Sequence, residues 1–165
     1  ALRQKIKAAV AHAKDHQLRL FINDHADLAI EEGAYGVHLG QEDLCPKKVE
    51  ALRASGLRLG ISTHNEQEVA KAHAYRPSYL SVGPIFETTS KRMPYNTQGV
   101  EGVAKWSKLL DYPVVALGGV GVEHIHALLS AGASGVAMIA GLLAQKDPEK
   151  TAQTMVDEAR KVIAC

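Results

Sequence analysis

Short apolar runs alternate along this chain with longer stretches of mixed polarity. The runs RLFIND (19–24), YGVHLG (35–40), LRLGIS (57–62), YLSVGP (79–84), VVALGG (114–119) and GVAMIA (135–140) are short and mostly apolar, and they read as strands. Several close on Gly, Ser, Asn or Asp. Between them, residues 26–32, 47–55, 66–75, 100–110, 122–130 and 148–162 have helical character, and the leading ALRQKIKAAVAHAKDH reads as a further helix. Pro46 and Pro148 suit a first helical turn, where a missing N–H costs little. Thr63 or Asn65 is placed to cap the helix that follows. Gly56 and Gly132 mark stops just before strands.

Apolar strands separated by helices predict parallel βα units with both sheet faces covered. Polar or glycine residues gather at the C-terminal end of almost every strand. In a β/α barrel those ends share one face, which carries the active site. A doubly wound open sheet would instead concentrate function at one switch point. The expectation is therefore an α/β fold of the (β/α)8 TIM-barrel type, one domain over residues 1–165. Eight units normally take roughly 200 to 250 residues. Six strands are visible, so the first two are expected to be absent from this chain, which would be a fragment or be completed by another polypeptide.

Composition narrows the partners. The chain has 165 residues, 46% of them hydrophobic, enough for one sizeable core. Nineteen Lys and Arg against 18 Asp and Glu give a formal charge of +1. That balance provides no general field for nucleic acid or a membrane surface. No run of 18 apolar residues is present, and the N-terminus lacks the apolar core of a signal peptide. Cys45 and Cys165 stand in no metal-like spacing and read as free thiols of a reducing, cytoplasmic compartment.

Candidate chemistry lies at the strand ends. Asn23 and Asp24 close one strand, and Asp43 follows the next by a few residues. Neighbouring strand ends can bring the two carboxylates to one hard cation such as Mg²⁺, with substrate phosphates supplying further oxygens. Helix capping accounts equally for either aspartate, and Asp27 is a third nearby carboxylate. Ser62 and Thr63 end another strand, as helix caps or as cavity groups. The long segment 84–98 carries Thr88, Thr89, Ser90 and Lys91, which suit an anion, or it is an ordinary surface loop. The Gly118–Gly119 pair and the run 135–141 suit close backbone approach to a phosphate. His38, inside an apolar run, faces either the core or the barrel mouth. No HExxH, GxSxG or GxGxxG pattern is present.

Taken in order, FINDHADLAIEEGAYGVHLGQEDL, LGISTHNEQE, SVGPIFETTSK, VVALGGV and GVAMIAGL resemble the motifs of thiamine-phosphate synthase, over essentially the whole chain. The resemblance implies a transferase. It joins 4-amino-2-methyl-5-hydroxymethylpyrimidine diphosphate to 4-methyl-5-(2-phosphoethyl)thiazole through a pyrimidine carbocation, releasing pyrophosphate and forming thiamine phosphate. It implies Asp24 and Asp43 as Mg²⁺ ligands and Asn23 on the pyrimidine diphosphate. Ser62 would touch the reacting substrates and Lys91 the pyrophosphate. Thr88 and Ser90 would touch thiazole phosphate or pyrophosphate, and Gly119, Ile139 and Ala140 would form the thiazole phosphate pocket. Lys91 and Ser62 would be the catalytic pair. Two departures stand out: Ala140 replaces a usual serine, and the family's Gln-x-Arg-x-Lys-like segment has no counterpart here. The chain alone is accordingly expected to bind the pyrimidine poorly and to be inactive by itself, and its expected partners are a completing N-terminal segment or a second copy in a homo-oligomer. A related thiazole tautomerase and an inert phosphate-binding barrel are the alternatives.

Overall fold

Six strands form where the apolar runs predict them; five are trimmed at one or both ends, and the run 57–62 becomes a strand over 58–63. They are β1 (Phe21–Asn23), β2 (Gly36–Leu39), β3 (Arg58–Thr63), β4 (Tyr79–Val82), β5 (Val114–Leu117) and β6 (Gly135–Ala137). The helices are α1 (Leu2–Asp15), α2 (Ala26–Glu31), α3 (Pro46–Ala54), α4 (Glu66–His73), α5 (Gly99–Leu109), α6 (Ile125–Ser130), α7 (Ala140–Leu143) and α8 (Pro148–Ile163). The computed structural model describes residues 1–88 and 94–163. The stretch expected as one helix over 122–130 begins as a 3₁₀ turn, Val122–His124, before α6. The apolar run 135–140 is not all strand either: β6 stops at Ala137 and α7 starts at Ala140. The chain falls into two compact units, Ala1–Tyr79 and the part from Leu80 onward.

In the first unit β1 pairs in parallel with β2, and β2 with β3. Asn23 lies opposite His38, and His38 opposite Gly60. Parallel pairing sends all three C-terminal ends the same way, so Asn23, His38 and Ser62 come to one end of the sheet. The helices return the chain with narrow apolar stripes: Ile6, Val10 and Ala13 on α1, Val49 and Leu52 on α3, Val69 and Ala72 on α4. Spacings of three and four residues put each set on one helical face. β2 and most of β3 are buried at nearly every position, as parallel strands covered on both faces should be. His38 and Ser62 are half-buried exceptions.

Local signals behave physically. Pro46 opens α3. Asn65 caps α4, its side chain accepting the Glu68 N–H at 2.9 Å, and the Glu68 carboxylate accepts the His64 N–H at 2.9 Å. Thr63, the other candidate cap, is instead the buried last residue of β3.

Gly60 decides the packing of the first unit. A Cβ there would run into the Tyr79 ring. Without one, the ring lies over the β3 backbone, meets Phe21 edge-on at 5.1 Å and lies 5.5 Å from the His38 ring at 23°. Gly36 makes the same concession to Phe21.

In the second unit β4 pairs with β5 and β5 with β6, again in parallel. Leu80, Val82, Ile85, Val103, Ile125 and Leu128 are fully buried. α8 packs on α6 in this unit. Residues after β4 are tied to the end of β5: Ile85 N–H donates to Leu117 O and Phe86 N–H to Gly118 O, both at 3.0 Å. The far end of the long segment returns to the same place, with Gln98 N–H on Pro84 O at 2.9 Å and Gly99 N–H on Ile85 O at 3.0 Å. The Gln98 side chain locks this closure, donating to Gly83 O and accepting from the Trp106 indole. No helix among the described residues is long and apolar enough to cross a membrane.

Gly60→Ala is expected to destabilise the chain by about 1–3 kcal/mol through overpacking against Tyr79. Urea unfolding measures it; an unchanged midpoint would show that Tyr79 does not rest on Gly60.

Candidate active site

Two groups of polar residues occupy strand ends, one in each unit. In the first, Asp24 follows β1 with a left-handed backbone, φ 65°. Its N–H donates to His38 O at 3.0 Å and its carboxylate accepts from the Asn23 amide at 2.5 Å. The capping alternative fails for both aspartates. α2 is entered through His25 and α3 through Cys45, neither start having a side-chain cap. Asp43 instead faces Lys48 at a loose 3.4 Å. Asp24 is exposed and Asp43 half-buried, so both carboxylates keep accepting capacity. Among the described residues no cluster of three or more His, Cys, Asp or Glu could hold a metal. A pair of hard carboxylates on adjacent strand ends suits Mg²⁺, which takes one or two protein carboxylates and fills its shell with water and phosphate oxygens. It does not suit zinc, which wants three or four nitrogen or sulfur ligands.

Behind the carboxylates lies a network that the sequence left open. His38 turns neither wholly inward nor outward. Its Nδ1 is 2.8 Å from the Tyr79 hydroxyl and its Nε2 is 2.8 Å from the Ser62 hydroxyl. Burial holds the His38 pKa down to about 4 and pushes the Tyr79 phenol up to about 12, so both are neutral at pH 7. Ser62 is held a second time, its carbonyl accepting from the Gln41 amide at 2.7 Å. It caps no helix, since α4 is capped by Asn65.

The second unit encloses a cavity of about 680 Å³. It is lined by Thr88, Gly119, Ile139 and Ala140, so four residues picked from sequence meet there, joined by Glu87, Glu123, Gln145, Thr151 and Thr154. Thr151 and Thr154 come from α8, on which no sequence motif fell. Gly118 and Gly119 have φ of 96° and 66°, and a Cβ on Gly119 would overlap the backbone of Phe86 and Glu87. Gly141 likewise lets α7 come against the Val120 carbonyl. The cavity thus lies at the end of β5 and the start of α7. Its described lining includes no lysine or arginine. Ser90 and Lys91, the cationic part of the expected site, lie outside the described residues, as does Cys165. Cys45 is an exposed free thiol.

The family profile of thiamine monophosphate synthase matches residues 1–142. The chain belongs to this family. A thiamine-phosphate synthase of Photorhabdus laumondii is 45% identical over 154 residues, 92% of this chain and 71% of that protein. One of Yersinia pestis is 46% identical over 154 residues, 92% of this chain and 72% of that protein. The solved thiamine phosphate pyrophosphorylase of Pyrococcus furiosus superposes with a TM-score of 0.86 and 26% identity, over 98% of this chain and 77% of its own. The fold is accordingly the α/β barrel of thiamine monophosphate synthase, six of its strand–helix repeats lying in this chain.

The lowered His38 pKa sets a pH dependence of stability. Between pH 6.5 and about 4 the unfolded chain binds a proton at this site that the folded chain does not. Stability from His38 is therefore full above pH 6.5 and is lost as pH falls toward 4, by on the order of 3 kcal/mol at most. Unfolding free energies of the parent and His38→Gln across this window should converge at the acid end; parallel curves would show that His38 titrates normally.

Proposed function

We propose that the chain, together with the completing diphosphate-binding segment, condenses 4-amino-2-methyl-5-hydroxymethylpyrimidine diphosphate with 4-methyl-5-(2-phosphoethyl)thiazole, giving thiamine phosphate and pyrophosphate. Family membership, at 45–46% identity to thiamine-phosphate synthases over 92% of the chain, carries this reading. The two strand-end groups divide the work. The first unit takes the pyrimidine diphosphate: Asn23 and Ser62 hydrogen-bond it, and Asp24 and Asp43 would hold Mg²⁺. The second takes the thiazole phosphate, through Thr88, Ser90, Gly119 and the backbone at Ile139 and Ala140.

In the reaction the bond between the pyrimidine methylene carbon and the diphosphate oxygen breaks, and its electron pair leaves with the pyrophosphate. The thiazole nitrogen gives its lone pair to the methylene carbon. Charge builds on the departing oxygens, where Lys91 supplies a compensating charge. Bound Mg²⁺ supplies Lewis-acid neutralisation of the same oxygens. No side-chain nucleophile is required, so holding the two substrates in register contributes much of the rate. The absence of a serine at position 140 is compatible with phosphate binding, since a backbone N–H there serves as donor. A cytoplasmic setting, with thiols reduced, fits the exposed Cys45.

Pyrophosphate release with both substrates and Mg²⁺ tests the reading. Asp43→Asn should lower kcat/KM by roughly 100-fold or more, as loss of a charge acting on the leaving group does. It should leave the unfolding midpoint nearly unchanged, because Asp43 makes only a loose contact with Lys48. Full turnover by Asp43→Asn, or turnover indifferent to chelation of Mg²⁺, would remove the metal from this account.

A further inference from the structure

The Tyr79–His38–Ser62 network is more than packing, because its protons can be assigned. All three groups lie in the first unit. Among the described residues, the Tyr79 hydroxyl bonds to His38 Nδ1 and the Ser62 hydroxyl to His38 Nε2. A neutral imidazole carries one N–H, so two orders exist. In one, Ser62 donates to Nε2 and Nδ1–H donates to Tyr79. The phenol proton then has no acceptor among the described residues, in a ring wedged over Gly60 between Phe21 and His38. In the other, Tyr79 O–H donates to Nδ1 and Nε2–H donates to Ser62 Oγ. The phenol proton is then used, and the one left over is that of Ser62, at the C-terminal end of β3. A phenol packed against the β3 backbone at Gly60 is the costlier donor to leave unpaired, so the second order is preferred.

We infer that Tyr79 and His38 are positioning residues for Ser62, fixing its hydroxyl as a hydrogen-bond donor aimed at an acceptor atom of the substrate. The inference rests on the reading above in which Ser62 touches the pyrimidine substrate. Three further features fit it. The Gln41 amide immobilises the Ser62 carbonyl at 2.7 Å. His38 and Ser62 share a sheet face, because His38 pairs with Gly60 and Ser62 is two residues further along β3. The phenol reaches Nδ1 only because position 60 has no side chain.

The test reads the imidazole directly. Nitrogen-15 NMR of the 165-residue chain at neutral pH should show His38 as the Nε2–H tautomer, and Tyr79→Phe should turn it into a mixture. An Nδ1–H tautomer in the parent, or an unchanged tautomer in Tyr79→Phe, would overturn the inference. Calorimetric affinity for the pyrimidine diphosphate with Mg²⁺ supplies the functional arm. Tyr79→Phe should weaken binding by roughly 2- to 10-fold, the range one neutral hydrogen bond covers. His38→Asn, whose amide reaches only the Nδ1 position, should lose as much affinity as Ser62→Ala. His38→Gln, whose amide nitrogen reaches the Nε2 position, should recover most of it. Parent-like affinity in Ser62→Ala would overturn the reading of Ser62 itself. Weakened Ser62→Ala beside parent-like His38→Asn and Tyr79→Phe would overturn the positioning role alone.

Discussion

The ring of Tyr79 lies where any side chain at position 60 would have to be, and the first strand-end group follows from that contact. Glycine at the centre of a buried parallel strand weakens the strand by itself. Here the gap admits an aromatic ring, the ring brings a phenol to His38, and His38 reaches Ser62 on the strand that carries the glycine. Phe21 closes the stack from β1 over a second glycine, Gly36. A polar chain half-inside a parallel sheet is tolerable only when its members satisfy one another, and these do. The second unit repeats the device without side chains. Gly118 and Gly119 let the backbone after β4 lie against the end of β5, and the cavity opens beside them.

The two groups suit different tasks. Carboxylates, an amide and a held hydroxyl can grip a cation and the diphosphate that comes with it. A cavity lined by glycines, threonines and apolar residues, with Glu87, Glu123 and Gln145 beside them, can hold a smaller phosphate on its backbone N–H groups and an apolar ring inside. A reaction that needs little beyond orientation and leaving-group stabilisation requires this much and no covalent catalyst. Membership of the thiamine monophosphate synthase family and the composition of the two groups therefore point the same way.

Much of this was legible in the residues, and the illegible parts share a cause. Six apolar runs become six strands because parallel strands buried on both faces must be apolar nearly throughout. Helix starts at Pro46 and Asn65 were readable because capping is local chemistry. The run GVAMIAG was misjudged at its far end, since strand β6 and helix α7 are both apolar and no polar residue separates them. Asp24 and Asp43 could not be told from caps until the helices proved to start at His25 and Cys45 without them. His38 was undecidable from its neighbours Val37 and Leu39, because its partners stand 24 and 41 residues away. Thr151 and Thr154 carry no local mark of the cavity they line; only the folding-back of α8 brings them to it.

The division of the two substrates between the two groups is the centre of this account, and binding of each substrate alone tests it most directly. Backbone amide NMR of the chain should show thiazole phosphate shifting Gly119 and Ala140 while leaving Asp24 and Ser62 in place. Pyrimidine diphosphate with Mg²⁺ should do the reverse, shifting Asp24, Asp43 and Ser62. Perturbation of the same residues by both ligands, or a reversed pattern, would contradict it.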